Sequence, residues 1–131
     1  MTLALRAMTQ LAAWPDLSEA RPGCGTGRAL RSDRAEILHF HSDHEVDLHL
    51  TARAIRRYED HLRGTGAVRM VPGSRWVTVR LEVDADIHLL LTLVSVALQS
   101  HQAWPVPDDS VPADCNEHRG AALPRTILSG S

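Results

Sequence analysis

Two short stretches near the middle of the chain alternate strictly between apolar and polar residues. The first runs from Glu36 to His41 and the second from Glu45 to Leu50, with three residues between them. Alternation with a period of two is typical of half-buried strands, so the pattern predicts an antiparallel hairpin with a three-residue loop. A two-residue loop would slip the register by one and mix the two faces, which a buried sheet does not tolerate.

That register sorts the hairpin side chains into an apolar face and a polar face. Leu38 then lies opposite Leu48 and Phe40 opposite Val46, and Ile37 is the one apolar residue out of place. The polar face is predicted to carry His39, His41, Glu45, Asp47 and His49. Any chemistry of this protein should lie on the polar face.

The flanking patterns predict further strands over 27–31, 67–71 and 75–83, and helices over 2–14, 52–63 and 87–101. The fold class is therefore α+β: an antiparallel sheet of four to five strands with helices packed on one face. A single domain over 1–102 is expected, followed by a loose tail over 103–131 that contains four prolines and no periodicity. The last helix is apolar nearly all round, which could also close a homodimer.

The amino-acid composition of the chain argues against several classes of function. The chain has 131 residues, a net charge of −2, and 14 basic residues that are all arginine. Without lysine it cannot form a Schiff base, and the negative charge argues against nucleic acid as a partner. Cys24 and Cys115 are too far apart for a zinc motif. No apolar run is long enough for a membrane span or a signal peptide, so we expect a cytoplasmic protein with no membrane partner.

The polar face offers two kinds of small-molecule chemistry. His39, His41 and His49 could bind Zn, Mn or Fe, because histidines two apart on a strand project in parallel. Without a metal, His39 could act as a base oriented by Asp47. Residues expected to bind a planar anionic substrate are Arg80, Trp76, Thr78 and Arg69. The alternative is a solvated sheet face with no role.

Several segments of the chain resemble a family of short actinobacterial proteins with a luciferase domain. They are Gly27-Arg-Ala-Leu-Arg, Glu36-Ile-Leu-His-Phe-His-Ser-Asp, Val46-Asp-Leu-His-Leu-Thr, Val71-Pro-Gly-Ser-Arg-Trp-Val-Thr-Val and the apolar Leu-Val-Ser-Val-Ala-Leu-Gln helix. The fungal luciferases are similar at a greater distance, through the strands that hold His39, His41 and His49. This resemblance implies addition of O2 to a hydroxylated α-pyrone without an organic cofactor.

The sequence is consistent with three functions. The first is an enzyme resembling fungal luciferase, a cofactor-independent oxygenase or lyase acting on a planar enolic or phenolic substrate. The second is a non-catalytic module that binds a metal or small ligand on the histidine face. The third is a structural protein that dimerises through its last helix.

Overall fold

The computed structural model describes residues 2–21, 27–33 and 35–103, so the predicted tail lies outside the described residues except for Ala103. The fold is α+β, as predicted, and within those ranges it consists of four helices and six strands. In chain order these are α1 (Leu3–Ala12), β1 (Ser18–Ala20), β2 (Arg28–Arg31), β3 (Glu36–Phe40), β4 (Glu45–His49), α2 (Ala52–Arg57), α3 (Glu59–Gly64), β5 (Val68–Met70), β6 (Trp76–Arg80) and α4 (Asp84–Ala103).

All six strands form one antiparallel sheet in the order β1-β2-β3-β4-β6-β5. The sequence predicted four to five strands, and β1 is the strand that it missed. Its three residues, Ser18–Ala20, are mostly exposed and too few to show an alternating pattern. Pairing with β2 holds this strand at the edge of the sheet.

The register of the central hairpin is confirmed. Leu38 pairs with Leu48, His39 with Asp47, and Phe40 with Val46. The Ser42 hydroxyl stabilises the loop by accepting hydrogen bonds from the backbone N–H groups of His44 (3.2 Å) and Glu45 (3.1 Å). The strand β6 continues the sheet beyond β4, and pairs Asp47 with Thr78 and His49 with Trp76.

Helix α4 covers the apolar face of the sheet. It packs on β3, β4 and β6, and both α1 and α2 pack against it. The core between these layers includes Leu38, Leu48 and Val79, all fully buried. At about 25 cal/mol per Å² of apolar surface removed from water, this layer is the main stabilising contribution to the fold.

One face of α4 is polar, whereas the sequence predicted a helix that is apolar nearly all round. The exposed positions along it are His88, Thr92, Ser95, Gln99 and Gln102, spaced three or four residues apart. This spacing keeps them on a single stripe of the helix. Leu93 is buried in the core. The homodimer stays a prediction.

A β-bulge explains why Ile37 breaks the alternation of β3. The register between β2 and β3 shifts at this point: Leu30 pairs with Leu38, but Arg31 pairs with Glu36. Ile37 is therefore an extra residue on β3, and it is fully buried. The shift also changes the face of the sheet toward which the Glu36 side chain points.

The predicted helix over 52–63 is two short helices that meet at Tyr58. The Tyr58 backbone has φ −110° and ψ 18°, outside helical values, which ends α2 and begins α3. Thr51 caps α2 by accepting a hydrogen bond from the Ala54 N–H (3.2 Å). In the part of the chain that the structure describes, no helix combines the length and the apolar character needed to cross a membrane.

Candidate functional site

The central part of the polar face is buried, so the alternative of a solvated face is wrong for these positions. His39 has no exposed surface, and Asp47 and His49 are each 3% exposed. Trp76 and Thr78 on β6 are each 2% exposed. Burying polar side chains costs free energy unless they form hydrogen bonds, so their partners determine what this face can do.

The partner of His39 is Glu36. Its Oε1 accepts a hydrogen bond from His39 Nε2 at 2.5 Å. Residues three apart on a regular strand point to opposite faces, but the bulge at Ile37 brings Glu36 onto the same face as His39. This follows because Arg31 and Ala29, which lie two apart on β2, pair with Glu36 and His39 respectively.

The pair of Glu36 and His39 has the form of a base with its orienting carboxylate. Because a carboxylate only accepts hydrogen bonds, the proton lies on His39 Nε2, and Nδ1 is the basic nitrogen. Burial lowers the pKa of His39, and the hydrogen bond and charge of Glu36 oppose part of that effect. The ring is therefore neutral near neutral pH and able to accept a proton.

Asp47 has a different role from the one expected. It lies opposite His39 in the register, and its charge acts on the pKa of His39. Its Oδ1, however, accepts a 2.7 Å hydrogen bond from the Thr78 hydroxyl. The carboxylate that orients His39 is Glu36, and Asp47 with Thr78 forms a second buried polar pair beside it.

Trp76 packs between two imidazoles. Its ring lies 4.6 Å from that of His39 and 4.9 Å from that of His49, with which it stacks at 14° between planes. The sequence assigned Trp76 to stacking on a substrate ring. In the structure the indole is buried against His49 instead, and it fixes the orientation of both histidines.

His49 holds an unpartnered nitrogen inside the protein. Its Nδ1 donates to the Glu36 carbonyl at 3.4 Å, so Nε2 carries the lone pair. That Nε2 is buried and has no hydrogen-bond partner. Burial first, and the neighbouring His101 second, lower the pKa of His49 to about 3. An unsatisfied buried acceptor of this kind costs about 1–3 kcal/mol.

His101 belongs to the same cluster, although the sequence reasoning assigned it no role. It comes from the last turn of α4, and its ring meets that of His49 at 4.5 Å in an edge contact. Its Nε2 donates to the His49 carbonyl at 3.0 Å, and burial lowers its pKa. Helical spacing was the available signal, because His101 falls on the same buried stripe as Leu90, Val94 and Ala97.

A strained residue follows His49 at the end of β4. Thr51 has φ +85°, which is a rare conformation for a β-branched residue. Its N–H donates to the Arg75 carbonyl (3.0 Å), and its hydroxyl shares a 2.8 Å hydrogen bond with Ser100. Such a conformation costs about 1–3 kcal/mol and persists only where surrounding contacts fix it. These contacts fix the junction between His49 and α2.

The other end of the polar face is exposed and charged. Arg69 and Arg80 are more than half exposed; Arg69 lies 3.7 Å from Glu45, and Arg80 donates to the Gly66 carbonyl at 2.9 Å. His41 is half-buried, and its ring meets the ring of His39 edge-on at 5.5 Å. His41 therefore connects the buried cluster with the exposed end.

Gly27 closes the cluster on the side of His41. It has φ +78°, and a Cβ at this position would lie 2.4 Å from the Phe40 carbonyl oxygen and 3.1 Å from His41 Nδ1. Any side chain here would displace the backbone or the imidazole. Among the predicted site residues, the structure thus brings together His39, His41, His49, Asp47, Trp76 and Thr78, with Arg69 and Arg80 at the exposed end.

Metal binding by His39, His41 and His49 stays a prediction. Within residues 2–21, 27–33 and 35–103, no three His, Cys, Asp or Glu side chains are arranged to hold a metal ion. The hydrogen bonds explain this, since His39 Nε2 and His49 Nδ1 are both directed at Glu36. Their rings are also both packed on Trp76.

Comparison with known proteins confirms the resemblance to a luciferase domain. Residues 34–97 match the model of the family described as Luciferase domain. Neither the comparison with curated proteins nor the comparison with solved structures gave a match. The matched region runs from the start of β3 into α4 and includes the whole histidine cluster except His101. Residues 34–97 of this chain are therefore similar to the Luciferase domain family.

Proposed function

We propose that the protein is a luciferase-like enzyme, a cofactor-independent oxygenase or lyase that acts on a planar enolic or phenolic small molecule. The observation that carries the proposal is the buried hydrogen bond between Glu36 and His39. It supplies an oriented, neutral imidazole on the polar face of the region that matches the Luciferase domain family. General bases of this kind contribute about 10²–10⁴-fold to the rate of proton transfer.

The substrate would bind at the exposed end of the polar face. His41 is the half-buried histidine there, and its ring lies between an enol bound at this end and the fully buried His39, so the proton would pass to His39 through His41. Arg69 and Arg80 provide positive charge at the same end, which favours the enolate over the neutral enol. Trp76 and the pair of Asp47 and Thr78 hold the buried side in place.

The proposed reaction begins with transfer of the enol proton to His39. The resulting enolate is electron-rich, and O2 is the oxidant that adds to it. The peroxide anion formed by that addition takes the proton back from the imidazolium, so the first product is the hydroperoxide of the substrate. Loss of CO2 from a carboxyl-bearing or lactone product would then be the lyase outcome.

Oxygen consumption with a panel of hydroxylated α-pyrones and phenols tests the proposal. We expect the wild-type protein to consume O2 with at least one of them, and His39→Gln to lose about a hundredfold or more in rate. Glu36→Gln should lose less, because the base remains but its tautomer is no longer fixed. The matched control is His88→Gln, which changes an exposed histidine on α4.

Two results would contradict this function. One is the absence of O2 consumption and of substrate loss across the panel with folded wild-type protein. The other is a His39→Gln rate equal to that of His88→Gln. Circular dichroism and urea unfolding of each variant distinguish loss of the base from loss of the fold.

A further inference from the structure

A groove between α2 and α4 forms a cavity, and the described residues that line it include none of the histidines. It encloses about 640 Å³, which is within the range of small-molecule sites. Arg53, Arg57 and Tyr58 line it from the side of α2, and Gln99 and Gln102 line it from the side of α4. The proposed function leaves this groove without a role.

The charge of the groove is positive. Arg53 and Arg57 are four residues apart on α2, so they project from the same side of the helix. No Asp or Glu is present among the described residues that line the cavity. The Arg57 guanidinium lies 5.6 Å from the centre of the Tyr58 ring, and it forms no ion pair with any described residue. A guanidinium held in this way is ready to bind a carboxylate.

The floor of the groove is partly apolar, and the surrounding structure holds its side chains in place. Ala54 and Ser100 are both more than nine-tenths buried, and the half-buried Val96 lies beside them. The Ser100 hydroxyl is fixed by its 2.8 Å hydrogen bond to Thr51. The groove is thus formed by side chains that the fold already holds in place, which reduces the entropy lost on binding.

From the charge, the volume and the apolar floor we infer that this groove binds a small aromatic carboxylate. Arg57 takes the carboxylate, the amides of Gln99 and Gln102 hydrogen-bond its polar substituents, and the ring lies on the apolar floor. A carboxylate suits the planar fork of arginine, and an aromatic ring suits the apolar floor formed by Ala54 and Val96. This inference is independent of the proposed enzymatic activity.

Benzoate is the probe that tests the inference, and Tyr58 is the reporter. Tyr58 is the only tyrosine of the chain, so its ring signals in an NMR spectrum of the full-length protein are unambiguous. We expect a saturable shift of these signals as benzoate is added. Arg57→Gln should weaken binding about tenfold or more. The matched control, Arg56→Gln, removes the same charge from an exposed position of α2 outside the groove and should bind as wild type.

Three results would overturn the inference. The first is the absence of a saturable shift of the Tyr58 signals, as expected if the groove is closed to small molecules in solution. The second is equal affinity for benzoate in Arg57→Gln and Arg56→Gln. The third is inorganic phosphate that binds as tightly as benzoate, which would show that the aromatic ring contributes nothing.

Discussion

Both faces of the central hairpin contain fully buried residues, but the two faces are stabilised in different ways. Leu38 and Leu48 on one face, and His39 on the other, have no exposed surface. The leucines are stabilised by leaving water and packing against α4. His39 loses its hydrogen bonds to water when it is buried, and the hydrogen bond to Glu36 offsets part of that free-energy cost. Burial alone therefore does not show whether a residue belongs to the apolar core or to a functional site. The groups that it contacts show this.

The largest effect should come from the apolar face. Leu48→Ala removes methyl groups from a fully buried position and leaves a cavity, so we expect a loss of about 2–5 kcal/mol in the free energy of unfolding. Leu5→Ala is the matched control, because Leu5 is 40% exposed, and it should cost less than about 0.5 kcal/mol. Urea unfolding measures both, and equal losses would contradict the assignment of this face to the core.

The second effect is the response of the polar face to pH. The pKa of His49 is lowered to about 3 from an ordinary 6.5, so between these values the unfolded chain binds a proton that the folded protein does not. Stability from this residue is complete above pH 6.5 and is lost as the pH falls, at about 1.4 kcal/mol per pH unit. The lowered pKa values of His39 and His101 act in the same direction.

His49→Gln isolates that contribution. The variant should lose up to about 1.4 kcal/mol per pH unit of the acid sensitivity, measured by urea unfolding at a series of pH values below neutral. His88→Gln changes an exposed histidine and should keep the wild-type slope. An unchanged slope in His49→Gln would show that the imidazole is accessible to water in the folded protein.

The third effect concerns the buried pair beside His39. Thr78→Val keeps the shape of the side chain but removes the hydroxyl that donates to Asp47, so we expect a loss of about 1–2 kcal/mol. Thr92→Val is the control, because the Thr92 hydroxyl is exposed and bonds only to its own helix at His88. A neutral Thr78→Val would mean that water replaces the hydroxyl at Asp47.

The smallest effect should come from the exposed end of the polar face. Arg69 is 3.7 Å from Glu45, and both side chains are at least a third exposed. We expect Arg69→Gln to change the free energy of unfolding by less than about 0.5 kcal/mol, and high salt to remove that difference. A larger loss that survives high salt would show that the ion pair is desolvated in solution.

Most of the fold was predictable from the sequence because alternation is a strong signal where one face is fully apolar. The pairs Leu38 with Leu48 and His39 with Asp47 followed from it directly. The hydrogen bond between His39 and Glu36 could not be predicted in this way. Regular alternation places the two residues on opposite faces, whereas the bulge brings them onto the same face. Ile37 was the visible irregularity, and a bulge is one explanation that such a residue should suggest.

Burial of the polar face could not be read from local pattern. A strand with histidine, aspartate and threonine on one side has the same sequence whether that side is wet or enclosed. What encloses it comes from distant parts of the chain, such as His101 on α4, 52 residues beyond His49. Contacts of this kind depend on tertiary packing, which the hydrophobic periodicity of the sequence does not reveal.

Nitrogen NMR of the His39 imidazole is the measurement that tests the central claim most directly. At neutral pH we predict a neutral ring with its proton on Nε2, because Glu36 accepts from that nitrogen. The Glu36→Gln variant should lower the pKa of His39 further, since the carboxylate raises it. A proton on Nδ1, or a pKa of His39 that is the same with and without the Glu36 carboxylate, would contradict the account.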